Sequence, residues 1–486
     1  MKWPSVRTAI VVGLTLRLLA AVYSQGYAMH DDHFVIEDGP YRWFLPDHGG
    51  WFDRAAPPGH SVAYPAMLFG LLTACTGLGI TDPQTQMLVM RLLHALFATL
   101  AIPLAAAIAR RVGTEESARA AAFLVAVFWI LPFLSVRNLI EVVCIPPLML
   151  GTFLVIRRQT IRDVIVAGLA FSIAFMFRYH TAILPATFIV VLAYQREWRM
   201  NIVLGLSFVI CISLTQGLID LAVWGRFLAA PLTYWQNFVT GTDQYTQGPF
   251  YQYAALLVGL LLPPASLMLL WKVFTDKRPA LRFELVLPIV LFVIAHSFIA
   301  NKQERFIIPI LPLLVVAVAV AWTDRPTAQT SSAAARRWST ALWWWFWIFN
   351  SILLALFTFS YSKRSRVESL TYLSHLPNVK LVAVIARDGV FVPSFYLGRG
   401  IPHYTVSTDT TSTSWDSLHA RTPTHVVFYD ITSRDLLLSR VDSILPGRLE
   451  ALTEVDPGLL DATLHWLNPK GNKNETSVVY RVTNDK

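Results

Sequence analysis

Apolar positions in this chain gather into long unbroken runs, and alternation of period two is rare before residue 361. Runs of spanning length lie near residues 3–23, 88–109, 119–136, 139–156, 163–178, 181–194, 202–223, 252–271, 283–299, 306–322 and 340–360. An α-helix needs roughly 20 such residues to cross a hydrocarbon core about 30 Å thick. The pattern therefore predicts a polytopic α-helical membrane protein, with about eleven transmembrane helices in a domain covering residues 1–360. The stretch 61–80 is also apolar. Counting it as a full crossing would reverse every later loop and place Arg110-Arg111, Arg157-Arg158, Arg196 with Arg199, Lys277-Arg278 and Arg336-Arg337 outside. Because cytoplasmic loops carry the excess of Lys and Arg, 61–80 is read as a juxtamembrane or re-entrant element.

Past Tyr361 the pattern changes. Val379–Ile385, Val426–Tyr429 and Ser477–Val482 are short β-rich runs bounded by Gly, Pro, Asp and Asn, with a Ser/Thr-rich loop over Ser407–Ser414. They predict a small extracytoplasmic α/β domain over residues 361–486. Asn474-Glu475-Thr476 fits a glycosylation acceptor, which matters only in a secretory compartment.

Composition agrees: 55% of residues are hydrophobic and 15% charged, a balance foreign to soluble enzymes. The net charge of +9 comes largely from Lys and Arg clustered between apolar runs, where they report topology and not a nucleic-acid surface. Cys75, Cys144 and Cys211 sit far apart inside apolar segments, without metal-ligand spacing, and read as core residues. The first segment lacks a small-residue cleavage site and reads as a retained helix with a cytoplasmic N-terminus. Its Arg17 either snorkels to the head groups or meets a phosphate in the bundle.

With this topology His30-Asp31-Asp32-His33-Phe34, in the first extracytoplasmic loop (24–60), opens on the same face as Arg178-Tyr179-His180, residues 224–251 and residues 296–306. A transporter instead places its ionisable groups near mid-depth on broken helices. Asp31, Asp32, Glu37 and Asp38 are either a solvated loop capping a helix or a site in which one carboxylate takes a hydroxyl proton. Under the second reading the neighbouring acids tune that base or bind a cation. The aromatics Tyr41, Trp43, Phe44, Trp51 and Phe52 suit the membrane interface or a sugar face. Arg178 either snorkels or grips a phosphate with its planar fork. Lys302 and Arg305 are either helix-end charges or partners of an anionic substrate group.

These residues resemble the dolichol-phosphate-mannose-dependent mannosyltransferases of GPI-anchor and N-glycan type (Alg9-like), within the glycosyltransferase-C superfamily. The family's Pro-Asp-Glu-x-aromatic motif, with an acid seven residues after the Asp, is matched by His30–Phe34 and Asp38. Its Arg-Ser-x-x-x-Pro element resembles His60-Ser61 with Tyr64-Pro65. Its later Asp, Gly, Asn and Gly-x-x-x-Tyr-Gly-x-x-Pro-Trp-x-Trp-Tyr stretch resembles Asp220, Gly225, Asn237, Gly241, Tyr245, Gly248, Pro249, Phe250 and Tyr251. The His-Lys-Glu-x-Arg-Phe signature resembles Asn301-Lys302-Gln303-Glu304-Arg305-Phe306, with Asn and Gln in place of its His and first acid.

The resemblance, over residues 1–322, implies a glycosyltransferase-C fold and an inverting mannosyl transfer from a polyprenyl- or dolichyl-phosphate donor to a glycolipid or glycan acceptor. It implies Asp31 as general base, with Asp32 its neighbour or substitute. Arg178, Lys302 and Arg305 would hold the donor phosphate; Asp38, His60, Asp220, Asn237, Tyr245 and Tyr251 would line the acceptor or sugar side. No cofactor or metal is required, and no Rossmann-type Asp-x-Asp domain is found. Other readings are a sister enzyme of the superfamily, acting on protein, oligosaccharide, lipid A or cell-wall acceptors, and a transporter of lipid-linked sugar. The membrane is the bacterial inner membrane with a periplasmic site, or the endoplasmic reticulum with a luminal one.

Overall fold

In a computed structural model, residues 2–36, 59–240, 247–323, 333–398, 400–429 and 434–483 are described. Among them, seven helices are long and apolar enough to cross a membrane: Val6–Tyr23, Pro83–Val112, Ile140–Arg157, Trp198–Trp224, Pro279–Phe298, Glu304–Thr323 and Arg336–Thr358. Gln252–Leu260 and Ala265–Thr275 form a pair bent by 111° that makes an eighth if it is one span. The count falls below the expected eleven because several apolar runs are broken. Run 119–136 divides into Glu115–Val127 and Ile130–Leu134, since Phe128 is extended. Run 163–178 stops at Phe177, and run 181–194 begins in a 3₁₀ turn, Tyr179–Ala182, ahead of a 12-residue helix. Ala63–Gly77, with 15 residues, reaches about 22 Å at 1.5 Å per residue and falls short of a crossing.

Local chemistry sets these boundaries. Thr114 and Thr160 each accept from the backbone N–H three residues on, while Ser117 and Asp163 reach back to the cap, so both helices start in a capping box. The chain divides into two compact units, Met1–Ala20 with Arg54–Met67 and Arg91–Thr358, and Ala21–Asp53 with Leu68–Met90 and Phe359–Lys486.

In the first unit Arg17 is 1% exposed. It neither snorkels nor waits for a phosphate: it donates to the carbonyls of Gly13 (3.0 Å), Val125 (3.2 Å) and Ala126 (3.3 Å) and to Ser135 Oγ (3.1 Å). Val125 and Ala126 lie in the last turn of Glu115–Val127, where carbonyls lack intrahelical partners. Asn350 completes this cap, donating to the Val127 carbonyl and accepting from Trp129 N. Gly13 permits the approach, because a Cβ there would stand 2.9 Å from Ala126 Cβ and 2.3 Å from Ile102 Cδ1.

The second unit holds a five-stranded sheet. Its strands are β1 (Val382–Ala386), β2 (His403–Ser407), β3 (His425–Phe428), β4 (Arg448–Val455) and β5 (Ser477–Thr483), in the order β2-β1-β3-β5-β4. β1 runs parallel to β2 and β3, whereas β5 is antiparallel to β3 and β4. Ile385, Phe428 and Tyr480 pack with Trp415 and Leu418 of Ser414–Ala420 on one core. Asp82 caps Pro83–Thr99 by accepting from Thr85 N (2.8 Å) and Thr85 Oγ1 (2.6 Å), and its other oxygen faces His375 at 3.0 Å. Asn474 is 2% exposed. Its amide accepts from Lys363 Nζ (2.9 Å) and donates to Asp461 (3.3 Å), so the tripeptide carries no accessible acceptor in the folded chain.

Candidate active site

Three backbone irregularities meet in the first unit. Arg178 stands where Ile161–Phe177 ends, in extended conformation (φ −144°, ψ 110°). Glu141 lies in a four-residue helix, Ile140–Val143, ahead of Pro146-Pro147. Arg305 belongs to the 3₁₀ segment Glu304–Ile310, which contains Pro309. Irregular backbone within apolar segments is tolerated where protein or a cavity satisfies it, which marks such places as sites.

Here the breaks bring two guanidinium groups onto one carboxylate. Arg178 Nη2 lies 3.4 Å and Arg305 Nη1 3.6 Å from the same oxygen, Oε1, of Glu141. Glu141 is fully buried, Arg178 is 3% exposed, and neither Glu141 oxygen has a hydrogen-bond partner among the described residues. These contacts are longer than the 2.7–2.9 Å typical of charge-assisted hydrogen bonds. Phe306 underlies both cations, its ring centre 4.7 Å from Arg178 and 5.6 Å from Arg305. Gln303 Oε1 accepts from Arg305 Nε at 2.7 Å and orients it without adding charge.

Two imidazoles border the pair, the rings of His180 and His296 being 4.8 Å apart and His180 5.0 Å from Phe306. His296 Nδ1 donates to the Phe292 carbonyl at 2.8 Å, which leaves Nε2, buried and without a hydrogen-bond partner among the described residues, as the open nitrogen. His180 Nε2 shares a hydrogen bond with Tyr234 OH, and the Tyr234 ring lies 6.4 Å from that of His60. Tyr64 OH donates to His94 Nε2 at 3.0 Å, and His94 Nδ1 donates to the Arg137 carbonyl. Lys302 is buried, but its ammonium donates to the carbonyls of His296 (3.1 Å), Ser297 (2.7 Å) and Ile299. It caps the end of Leu287–Phe298, as a cation at a helix C-terminus does.

Asp220 is also engaged internally. It is fully buried and accepts from Gln216 Nε2 (2.8 Å) and from Ala230 N (3.0 Å), which ties it to the start of Ala229–Thr240. Asn237 and Tyr251 are exposed and His60 is half-buried. Asp38 and Tyr245 lie outside the described residues, as do Glu37, Gly241 and the aromatics from Tyr41 to Phe52.

In the second unit Asp31 opens the short helix Asp31–Ile36 and is partly exposed. Asp32 is 2% exposed and accepts from Ala28 N at 2.8 Å. The helix is clamped by rings: His33 stacks on Tyr396 (5.3 Å, 10°) and on Tyr27 (5.0 Å, 28°), and His30 on Phe34 (4.1 Å, 17°). The adjacent carboxylates differ in exposure, Asp32 being buried and Asp31 partly exposed. Among the described residues no group of three or more His, Cys, Asp or Glu is arranged to hold a metal ion.

Glu141 is the site residue that sequence reading missed. It stands alone in the apolar run 139–156, and the available signal was a carboxylate in a Pro-interrupted spanning segment.

Solved structures share this fold at low identity. ArnT from Cupriavidus metallidurans, bound to undecaprenyl phosphate, superposes with a TM-score of 0.64 at 14% identity, covering 98% of this chain and 97% of its own. The oligosaccharyltransferase AglB from Archaeoglobus fulgidus, in complex with an inhibitory peptide and a dolichol-phosphate, gives 0.51 at 12% over 90% of this chain and 71% of its own. Arabinofuranosyltransferase AftD from Mycobacteria gives 0.52 at 13% over 99% and 40%. These likenesses establish the helical glycosyltransferase-C fold. No curated protein matches the sequence. The profile of one family, however, matches residues 55–386, more than half the chain. With apolar helices of crossing length and this match, the chain belongs to the Alg9-like mannosyltransferase family and is a multi-pass membrane glycosyltransferase.

Proposed function

We propose that the protein transfers mannose from a polyprenyl- or dolichyl-phosphate donor to a hydroxyl of a glycolipid or glycan, with inversion, on the extracytoplasmic side of its membrane. The acceptor oxygen attacks the anomeric carbon while the bond from that carbon to the phosphate oxygen breaks. The hydroxyl proton passes to Asp31, and the bonding electron pair leaves with the phosphate. A phosphate leaves without being protonated, so one carboxylate base suffices. Arg178 and Arg305 hold the phosphate and stabilise the charge that grows on it. The observation that supports this reading is the pair of guanidinium groups on a shared buried carboxylate, in a fold whose solved relatives include one bound to undecaprenyl phosphate and one in complex with a dolichol-phosphate. Lys302 keeps the loop 299–303 docked on its helix and acts on the phosphate indirectly. His60 and Asn237 border the acceptor side.

The test is transfer of labelled mannose from synthetic polyprenyl-phosphate mannose by purified protein in detergent, with crude host lipid as acceptor and Asp31→Asn alongside. General-base removal costs on the order of 10² to 10⁴ in rate. Transfer by the wild type with full activity in Asp31→Asn would end the assignment of the base. Transfer only from other polyprenyl-phosphate sugars would end that of mannose.

A further inference from the structure

We infer that the helix Leu459–Leu467 of the second unit is an interfacial anchor, its outer face seated in the head-group region of the bilayer that the chain spans. The polarity of this helix is inverted. At 3.6 residues per turn Leu459, Ala462, Thr463, Trp466 and Leu467 share one face. All five are exposed, Leu459, Trp466 and Leu467 by 76%, 79% and 65%. Asp461 and His465 lie on the opposite face and are used inward. Asp461 is buried and accepts from Lys363 N and from Asn474 Nδ2 (3.3 Å), while His465 Nδ1 donates to the Asn472 carbonyl at 2.6 Å. A helix between protein and water carries its apolar stripe inward and its polar one outward. Contiguous apolar surface turned outward marks an interaction face.

What covers that face follows from where the helix begins. Its cap, Gly458, lies so close to the Tyr361 carbonyl that a Cβ there would stand 2.4 Å from the oxygen. Tyr361 is two residues past Phe359, at most about 7 Å of chain. The Phe359 ring lies 5.3 Å from that of Tyr23, and Ser362 N donates to the Gln25 carbonyl at 3.1 Å. Tyr23 ends the span Val6–Tyr23, and Pro83, which opens the span Pro83–Val112, belongs to the same unit. The membrane boundary therefore passes through this unit beside Tyr23 and Phe359. Both rings are more than half exposed, as aromatic residues at a bilayer interface are. An apolar helix face bearing Trp and Leu at that level meets lipid, and Lys470, exposed three residues past the helix, offers a cation to anionic head groups. Tyr361–Lys363 holds this helix and also, through the bridge from Ser362 to Gly26, the segment leading to Asp31. Docking of Leu459–Leu467 thus sets the height of that segment above the bilayer.

The test places a nitroxide on Leu467→Cys in the full chain carrying Cys211→Ser, the other two cysteines being buried. The protein is reconstituted into vesicles of phosphatidylcholine and phosphatidylglycerol. Collision of the label with oxygen, which concentrates in lipid, is compared with collision with a nickel chelate confined to water. Oxygen is expected to dominate, and that excess should be lost when Leu459→Asp and Trp466→Asp are added, since both side chains point outward and their replacement leaves the packing of the domain intact. A label reached mainly by the chelate overturns the inference, as does an oxygen excess that the double substitution leaves unmoved. A label shielded from both quenchers also overturns it, because protein, such as a second copy of the chain, then covers the face. If the doubly substituted chain does not fold, the label on Leu467→Cys decides by itself.

Discussion

Removing the Arg178 guanidinium and the Glu141 carboxylate together is expected to cost clearly less than the sum of the two single losses. At 3.4 Å and an effective dielectric constant of about 20, the Arg178–Glu141 attraction is about 5 kcal/mol, and Arg305 at 3.6 Å adds nearly as much. Desolvation consumes much of this, and breaking a buried pair from one side typically costs about 3–5 kcal/mol. Arg178→Met leaves Glu141 with Arg305 and should fall near the lower end, about 3 kcal/mol. Glu141→Gln leaves two buried cations together and should cost at least as much. The double variant removes one charge of each sign and restores a single cation oriented by Gln303, so the coupling energy should reach about 2 kcal/mol. Unfolding by sodium dodecyl sulfate in mixed micelles, followed by tryptophan fluorescence, measures all four proteins on one scale. Additive costs, or a loss below about 1 kcal/mol in Arg178→Met, would refute the buried ion pair. Activity supplies a second axis: the double variant loses less stability than the two single losses summed and still lacks the guanidinium assigned to the phosphate, so it should remain inactive.

Gln303→Glu places a carboxylate on Arg305 that competes for its guanidinium; the donor KM should rise about tenfold with kcat less affected, and an unchanged KM would count against Arg305 as a phosphate ligand. Gly168→Val drives a Cβ to 2.1 Å from Ser207 Oγ and 2.9 Å from the Phe208 backbone nitrogen, and should lower stability by about 1–3 kcal/mol in thermal unfolding; Gly70→Ala, with nothing within 4 Å, should not. Burial raises the Asp82 carboxyl, but bonds from Thr85 and His375 outweigh this and hold it below the usual carboxylate value. Its folded pKa is therefore lower than its unfolded one, so its stabilisation is complete above roughly pH 5 and is lost as pH falls through the depressed value. Asp82→Ala should remove that acid-side loss and cost about 1 kcal/mol near neutral pH, checked by melting curves of both proteins from pH 3 to 7.

The membrane class was legible because apolar runs of crossing length have few other uses, and the family because the Lys-x-x-Arg-Phe signature stands at the head of one such run. The number of crossings was less legible. Phe128 breaks a helix through its backbone angles, and a run of apolar letters does not display that. Among the site residues, Arg178 could be singled out as a cation between two apolar helices, but its partner could not. Glu141 is more than thirty residues away, and only the fold joins them. Lys302 and Asp220 were visible as charges, whereas the acceptors of Lys302 and one donor to Asp220 are main-chain groups, which every sequence contains. In the sheet, β1, β3 and β5 announce themselves by β-branched residues; β2 and β4 carry polar and charged positions on an open face and do not.

Arg17 has a consequence for how the chain is made. The residue is the twelfth of eighteen in Val6–Tyr23, and its partners outside that helix lie 108 to 118 residues further along. At roughly 5–20 residues per second of synthesis, a ribosome needs about 5 to 25 s to supply them. Throughout that interval the first helix carries a cation that costs about 2.5–3.5 kcal/mol to hold at mid-membrane. Its integration is therefore provisional until Glu115–Val127 emerges, and biogenesis has a checkpoint at which a nascent chain truncated near residue 110 should be retained by the insertion machinery and one truncated well past residue 135 released.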